Sequence, residues 1–507
     1  MPLVRNPILP GFNPDPSVLR VGEDYYIATS TFEWFPGVQI HHSRDLSNWE
    51  LAARPLSRKS QLDMRGDPDS CGIWAPAPAI EGPWSDPVYA NSSGFDPSLF
   101  HDDDGRKWFV NMLWDHRRRP QLFAGIALQE FDPRAGRLVG PRKNIFPGTE
   151  LGLVEGPHLY KRNGWYYLLT AEGGTGYEHA CTLARSRDIW GPYETHPQKH
   201  ILSSKDHPHA ALQRAGHGDI VDTPDGRTYL VHLTGRPITQ LRRCILGRET
   251  AIQEACWGDD DWLYVKNGPV PSLFVDLPAA RDDTKYWAER RYTFEAGLPA
   301  DFQWLRTPEP ERIFRTGGDG RLTLIGREAV GSWFEQALVA RRQTHFSIDA
   351  ETVIDFSPSD ERQFAGLTAY YCRFNFFYLT VTAHSDGQRE LLIMASEASF
   401  PLGGLRFPLP APAPIPNQGK VRLALSIRGR DLQFYYALEG EQELKKIGPV
   451  LDASIVSDEC GGHQVHGSFT GAFVGVAASD LNGTAAEAHF DYFLYRPVHH
   501  ESDRYEI

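Results

Sequence analysis

Residues 94–113 read GFDPSLFHDDDGRKWFVNML: an acid before proline, a short apolar run, an Asp-Gly turn and an aromatic strand. The same grammar returns at 12–30 (FNPDPSVLRVGEDYYIATS), at 154–174 (VEGPHLYKRNGWYYLLTAEGG) and at 216–235 (GHGDIVDTPDGRTYLVHLTG). Anchored on Asp15, Asp96, Glu155 and His217, the units lie 81, 59 and 62 residues apart. Short alternating strands with glycine turns, repeated at such a period and almost free of helical periodicity, describe the four-stranded blades of a β-propeller. The first strand of each blade lines the central channel. Equivalent positions of different blades then meet at one end of it, and the repeated acids are expected to converge there.

A second echo follows two of the units, HHSRDLSNWEL at 41–51 and ARSRDIWGPYET at 184–195. One blade is short. GIWAPAPAI at 72–80 looks like another inner-strand start, and its Trp74 lies 59 residues after Asp15 but only 22 before Asp96. That leaves too little chain for four strands. We expect a segment to be absent here rather than inner strands to be lost, because losing them would open a hole beside the acids. A milder shortening is expected in GRPITQLRRCILGRET, 235–250.

From about Asp283 the character changes. FAGLTAYYCRFNFFYLTVTA (364–383) and KVRLALSIRGRDLQFYYAL (420–438) alternate apolar and polar residues between turns such as His384–Gly387. This predicts a second all-β domain, a two-sheet sandwich. The proline-rich PLPAPAPIPNQG at 408–419 cannot continue a central strand and reads as a surface loop. The expected division is 1–282 for the propeller and 283–507 for the sandwich.

A chain of 507 residues has room for both. Its net charge of −13 argues against broad binding to nucleic acid or anionic membrane. No apolar run is long enough to cross a bilayer. The start, MPLVRNPILPGFNPDPS, has no basic-then-apolar signal pattern, so a cytoplasmic protein is expected. Cys71, Cys181, Cys244, Cys256, Cys372 and Cys460 are scattered, with no CxxC pair, and read as reduced thiols rather than a zinc site.

An Asp beside proline is ordinarily a turn former. Asp15 and Asp96 each carry that bland reading; Glu155, before Gly-Pro, carries it less well. Three acids at repeated positions make a stronger joint case, since a purely structural repeat would use one residue type throughout. Converging carboxylates suit hydrolysis of an acetal, which needs a proton on the leaving oxygen and a base-activated water on the opposite face. A third carboxylate raises the acid's pKa by like-charge repulsion. Phe32, Trp34, Trp74 and Trp114 lie in loops opening or following inner strands, where aromatics would face a sugar or else pack blades. His217 could be a metal ligand, a sugar contact or a satisfied histidine. Arg248 offers a fixed fork for carboxylate or hydroxyl, or a surface ion pair.

At these residues the chain resembles glycoside hydrolase family 43, and within it the two-domain β-xylosidases. The segments that carry the resemblance are FNPDPS, STFEWFPGVQIHHSRDL, GIWAPA, NSSGFDPSLFHDDDG, NMLWDHR, EGPHLYKRNGWYYLLTAEGGT, AGHGD, HLTGRP and LGRETAIQ, with GSFTGAFVGV extending it into the sandwich. It implies a five-bladed propeller followed by a concanavalin-like jelly-roll sandwich, and single-displacement hydrolysis with inversion. It implies Asp15 as general base, Asp96 as pKa modulator and orienter, and Glu155 as general acid. Arg248 would contact the terminal sugar and Asp96. Phe32, Trp74, Trp114 and His217 would line the site, with Phe469 reaching in from the sandwich; its neighbour Phe473 reads as sandwich core. Relatives carry roughly thirty more residues after the WAP motif than this chain does. No cofactor is required, calcium beside His217 is allowed, and a homodimer or homotetramer is implied.

The expected activity is release of xylose from the non-reducing end of β-1,4-xylo-oligosaccharides. The alternatives are an α-L-arabinofuranosidase, or both activities in one pocket, and a non-catalytic carbohydrate-binding protein. Fructosyl-transferring propellers are a further rival, separated by their covalent nucleophile.

Overall fold

The computed structural model describes residues 1–69, 84–118, 121–238, 240–397, 404–460 and 469–500. Within them the first half forms four antiparallel four-stranded sheets. The first holds Ser17–Val21, Asp24–Thr29, Gln39–Ser43 and Glu50–Ala53. The second runs from Ser98–His101 through Lys107–Trp114 and Phe123–Asp132 to Arg137–Phe146. The third begins at Glu155–Arg162 and the fourth at Gln213–Asp222.

Each sheet is a meander whose alternate residues turn inward, as in Asp24–Thr29, where every second side chain is buried. The blades meet face to face through those residues. Trp108, Val110 and Met112 of the second pack against Leu159 and Leu168 of the third. Tyr167 and Leu169 of the third meet Leu230 and Trp262 of the fourth. Tyr229, Val231 and Ile252 of the fourth close onto Val18, Tyr25 and Ile27 of the first. The chain between the first and second sheets is 54–97, which includes the expected blade start at 72–80. That start and its Trp74 lie outside the described residues, which hold four blades.

The second half is the expected sandwich, an eight-stranded and a nine-stranded antiparallel sheet among the described residues. One is built around Ile348–Asp355, Val421–Arg428 and Glu487–Pro497, the other around Gln363–Cys372, Asn375–Ala383 and Phe473–Asp480. The halves are joined more closely than a simple linker between domains would require. Trp34–Phe35, from the propeller, pairs with Phe302–Leu305 and becomes the edge strand of a sandwich sheet. Trp34 stacks on Phe473 with ring centroids 3.7 Å apart, and both are fully buried. Phe473 was expected in the sandwich core; it is buried instead in the cluster between the domains, with Phe12 and Trp34, while its strand neighbours Val474 and Val476 turn into the sandwich core. The buried Arg342 of the sandwich donates to the carbonyl of Phe12 at 2.7 Å and to Gln39 at 2.9 Å. Such contacts fix the sandwich over the propeller end at which Asp15 lies.

Candidate active site

The repeated grammar turns out to be a backbone feature. Asp15, Asp96 and His217 have φ of 53°, 51° and 43°, and the third blade places Gly156 in the same region at 56°. Left-handed backbone is tolerated by glycine and, among side-chain-bearing residues, most readily by Asn, Asp and His. The types found at the repeat are those it permits. This corrects one expectation. The third blade's equivalent of Asp15 and Asp96 is Gly156, and Glu155 stands one residue before it, outside the left-handed position.

Gly156 also answers a packing demand. A Cβ there would lie 2.9 Å from Nε2 of His217. The imidazole thus rests on the third blade's backbone, and its Nδ1 faces Oδ1 of Asp15 at 3.4 Å and Oδ2 of Asp96 at 4.0 Å. Four blades meet around this ring. Asp15, Asp96, Glu155 and His217 are each less than a tenth exposed.

Each acid has its own surroundings. Asp15 accepts from Arg248 at 2.9 Å and from the hydroxyl of Ser30 at 3.1 Å. Asp96 accepts the Gly156 amide at 3.0 Å. Burial pushes the Asp96 carboxyl up to about 6, with Asp15 adding to the rise while His217, the Gly156 amide and Arg248 oppose it. Burial also drives Glu155 well above the ordinary glutamate range, and the charges of Asp96 and Asp15 push the same way against Arg248. A carboxyl whose proton is held more tightly than in an ordinary glutamate thus sits beside two other acids, one of which is held by an arginine. Acid and base are separated by environment, as acetal hydrolysis needs.

Arg248 is 3% exposed, so it is no surface ion pair. Among the described residues it forms no hydrogen bond to Asp96, contrary to expectation; its carboxylate partner is Asp15. Its Nε and second terminal nitrogen hold the backbone carbonyl of Phe469 at 3.0 and 2.8 Å. The guanidinium lies against two rings, 5.1 Å from the centroid of Phe32 and 5.2 Å from that of Phe469. Phe32 and Phe469 are 6.3 Å apart. The structure thus brings both aromatics to the acids through Arg248, one from each domain. Trp114 is more distant: 38% exposed, it packs on Phe95, the residue before Asp96, and on Phe123.

The sequence reading missed Ser30, which lies two residues before Phe32 in the STF motif, and Thr175, whose hydroxyl accepts from Arg248 at 3.2 Å. Both are short hydroxyl side chains beside motifs that were read for their aromatics and glycines. Among the described residues no three His, Cys, Asp or Glu side chains form a metal-holding cluster. Calcium takes oxygen ligands, and a cation held through His217 would draw most of its shell from water.

Comparison with known proteins agrees with this geometry. The family model for glycosyl hydrolases family 43 matches residues 4–78 and 76–263, in two pieces that meet where the short blade begins. The model for the beta xylosidase C-terminal concanavalin A-like domain matches residues 291–496. The chain is 82% identical over 539 residues to xylosidase/arabinosidase 43B of Humicola insolens, with all of both chains covered. It is 44% identical to a beta-xylosidase of Bacillus subtilis, covering 97% of this chain and 99% of the other. Among solved structures, xylan beta-1,4-xylosidase from Bacillus halodurans superposes with a TM-score of 0.92 at 46% identity, over 97% of this chain and 100% of that one.

Proposed function

Because the chain belongs to the glycosyl hydrolases of family 43, we propose that it removes single xylose units, with inversion, from the non-reducing ends of β-1,4-xylo-oligosaccharides. Glu155 protonates the leaving oxygen. Asp15 takes a proton from the attacking water on the opposite face. Asp96 keeps Glu155 protonated by its charge and fastens the Gly156 peptide. The observation that carries this reading is the buried Glu155, raised well above its ordinary range beside Asp96 and Asp15. The beta-xylosidase names of the relatives support the choice of sugar.

A second reading is favoured by the name of the 82%-identical relative: α-L-arabinofuranosides are cleaved in the same pocket. The two pentosides present similar groups to Arg248 and the aromatics. Paired assays on nitrophenyl β-xyloside and nitrophenyl α-L-arabinofuranoside decide between one activity and both. No release from either would refute the proposal.

The propeller of this family reading has five blades, and the one not found among the described residues is the second. Two findings support that placement. The family match breaks at residues 76–78. The Humicola relative aligns over 539 residues against the 507 of this chain, so at least 32 positions have no counterpart here. Trp74, outside the described residues, is carried over from the resemblance as a pocket residue of that blade. The remaining proposals are a cytoplasmic enzyme acting on imported oligomers and assembly as a dimer or tetramer.

A further inference from the structure

The hold of Arg248 on the Phe469 carbonyl raises the question of what fixes Phe469. The answer begins at Arg214, on the fourth blade three residues before His217. Arg214 is 3% exposed and has a left-handed backbone with φ 57°. Arginine is not among the residues that favour that region, so its side-chain contacts must hold it there.

Its guanidinium reaches across the domain boundary. One terminal nitrogen lies 2.8 Å from Asp458 and the other donates to Glu459 at 3.1 Å, both in the sandwich. Its Nε donates to the carbonyl of Thr175 at 2.9 Å. Thr175 is the residue whose hydroxyl accepts from Arg248. The two arginines thus share one threonine, Arg214 at its carbonyl and Arg248 at its hydroxyl.

The sandwich carboxylates are anchored in turn. Asp458 accepts the hydroxyl of Tyr371 at 2.6 Å, and that oxygen accepts the amide of Thr470 at 3.3 Å. Glu459 accepts the amide of Cys244 at 2.8 Å. Beyond Thr470 the chain lies directly on the propeller: the Ala472 amide donates to the Ile245 carbonyl at 2.9 Å. At Gly247, a Cβ would meet the Thr470 carbonyl at 1.9 Å. Asp458 and Thr470 are therefore tied to one tyrosine, with Phe469 next to the second tie.

We propose that Arg214, Asp458 and Glu459 form an interdomain clamp whose task is to position Arg248, and through it Asp15, for the reaction. Among the described residues none of the three hydrogen-bonds to Asp15, Asp96 or Glu155, and they are positioning residues. The inference rests on the reading of Asp15 as general base. The clamp ties the sandwich to the base through Phe469 O, Thr175 and Arg248, so the second domain contributes to base geometry as well as covering the pocket.

The test is Glu459→Gln, chosen because the Glu459 side chain is 18% exposed and its replacement leaves no fully buried lone charge. It is compared with Arg248→Lys and the double variant on nitrophenyl β-xyloside. Melting temperature and near-UV circular dichroism establish that each variant is folded. The expected result is a fall of about tenfold in kcat/KM, carried mainly by kcat, in a folded protein. In the Arg248→Lys background the same substitution should add almost nothing, because the clamp acts through Arg248. Asp458→Asn gives a second, independent reading of the cycle. Wild-type rates in folded Glu459→Gln, or losses that simply multiply with Arg248→Lys, would overturn the clamp. A wild-type enzyme inactive on the xyloside and active on the arabinofuranoside would overturn only the choice of sugar, and the cycle would then be run on the latter.

Discussion

The amide of Gly156 donates to Oδ2 of Asp96 at 3.0 Å, so the peptide that follows Glu155 is fastened to the carboxylate of the neighbouring blade. Asp96 is thereby held near Glu155, where its charge opposes loss of the Glu155 proton. The two residues form an electrostatic unit joined through one peptide, and three of the predictions concern that unit and its base.

Glu155→Gln should depress hydrolysis of xylobiose by about 10²–10⁴-fold while largely sparing an aryl xyloside with a strongly acidic phenol. Only the poor leaving group needs its oxygen protonated. Steady-state kinetics on the two substrates check this, and equal losses on both would remove Glu155 from the acid role.

Asp96 and Glu155 both have pKa values raised in the folded protein, Asp96 to about 6 and Glu155 well above its usual range. Their ionisation opposes folding. The stability they allow is complete below the ordinary carboxylate range and is lost as pH rises through their folded values. Glu155→Gln should therefore stabilise the protein at pH 8 and have little effect at pH 4, where the carboxyl is largely protonated in both states. Thermal melts across that range would show it. For activity, kcat/KM should fall on the alkaline side as the acid loses its proton. Asp96→Asn should move that limb to lower pH by about one unit, since it removes a like charge. The limb belongs to the coupled cluster rather than to one group.

Asp15→Ala should bind substrate and turn it over about 10²–10⁴-fold more slowly, because the water lacks its base. Added azide needs no base and should restore turnover, yielding a glycosyl azide of inverted configuration. Substantial activity without azide would contradict the assignment.

Phe469→Ala should reduce kcat/KM for xylobiose about tenfold, equivalent to about 1.4 kcal/mol, with little change in melting temperature. Phe469 is half-buried and faces Phe32 and Arg248 rather than the sandwich core. Phe473→Ala, by contrast, removes a fully buried ring stacked on Trp34 and should cost about 3–5 kcal/mol of stability.

The two all-β halves were legible because alternation and turn chemistry are local. The acids were legible because a repeat exposes them, though for a reason that was partly misread. Asp15, Asp96 and His217 recur at a backbone position that demands left-handed φ, and sequence alone does not separate that demand from a catalytic one. Glu155 is the reverse case: it lies off the repeated position by one residue, and no turn requires it. What stayed hidden depends on distant pairing. Trp34–Phe35 reads as a propeller loop, yet it adds a strand to the sandwich. Arg248 was expected on Asp96, but a carbonyl 221 residues away in sequence turns its fork toward Asp15. Arg214, Asp458 and Glu459 have no motif at all; only the folded interface brings them together.

The central claim is that Glu155 and Asp15 act on opposite faces of the glycosidic bond in a single displacement. Proton NMR of the first sugar released from a nitrophenyl β-xyloside, recorded before mutarotation, tests it most directly. The account predicts α-xylose as the nascent product. β-Xylose appearing first would mean a covalent glycosyl-enzyme and would contradict it.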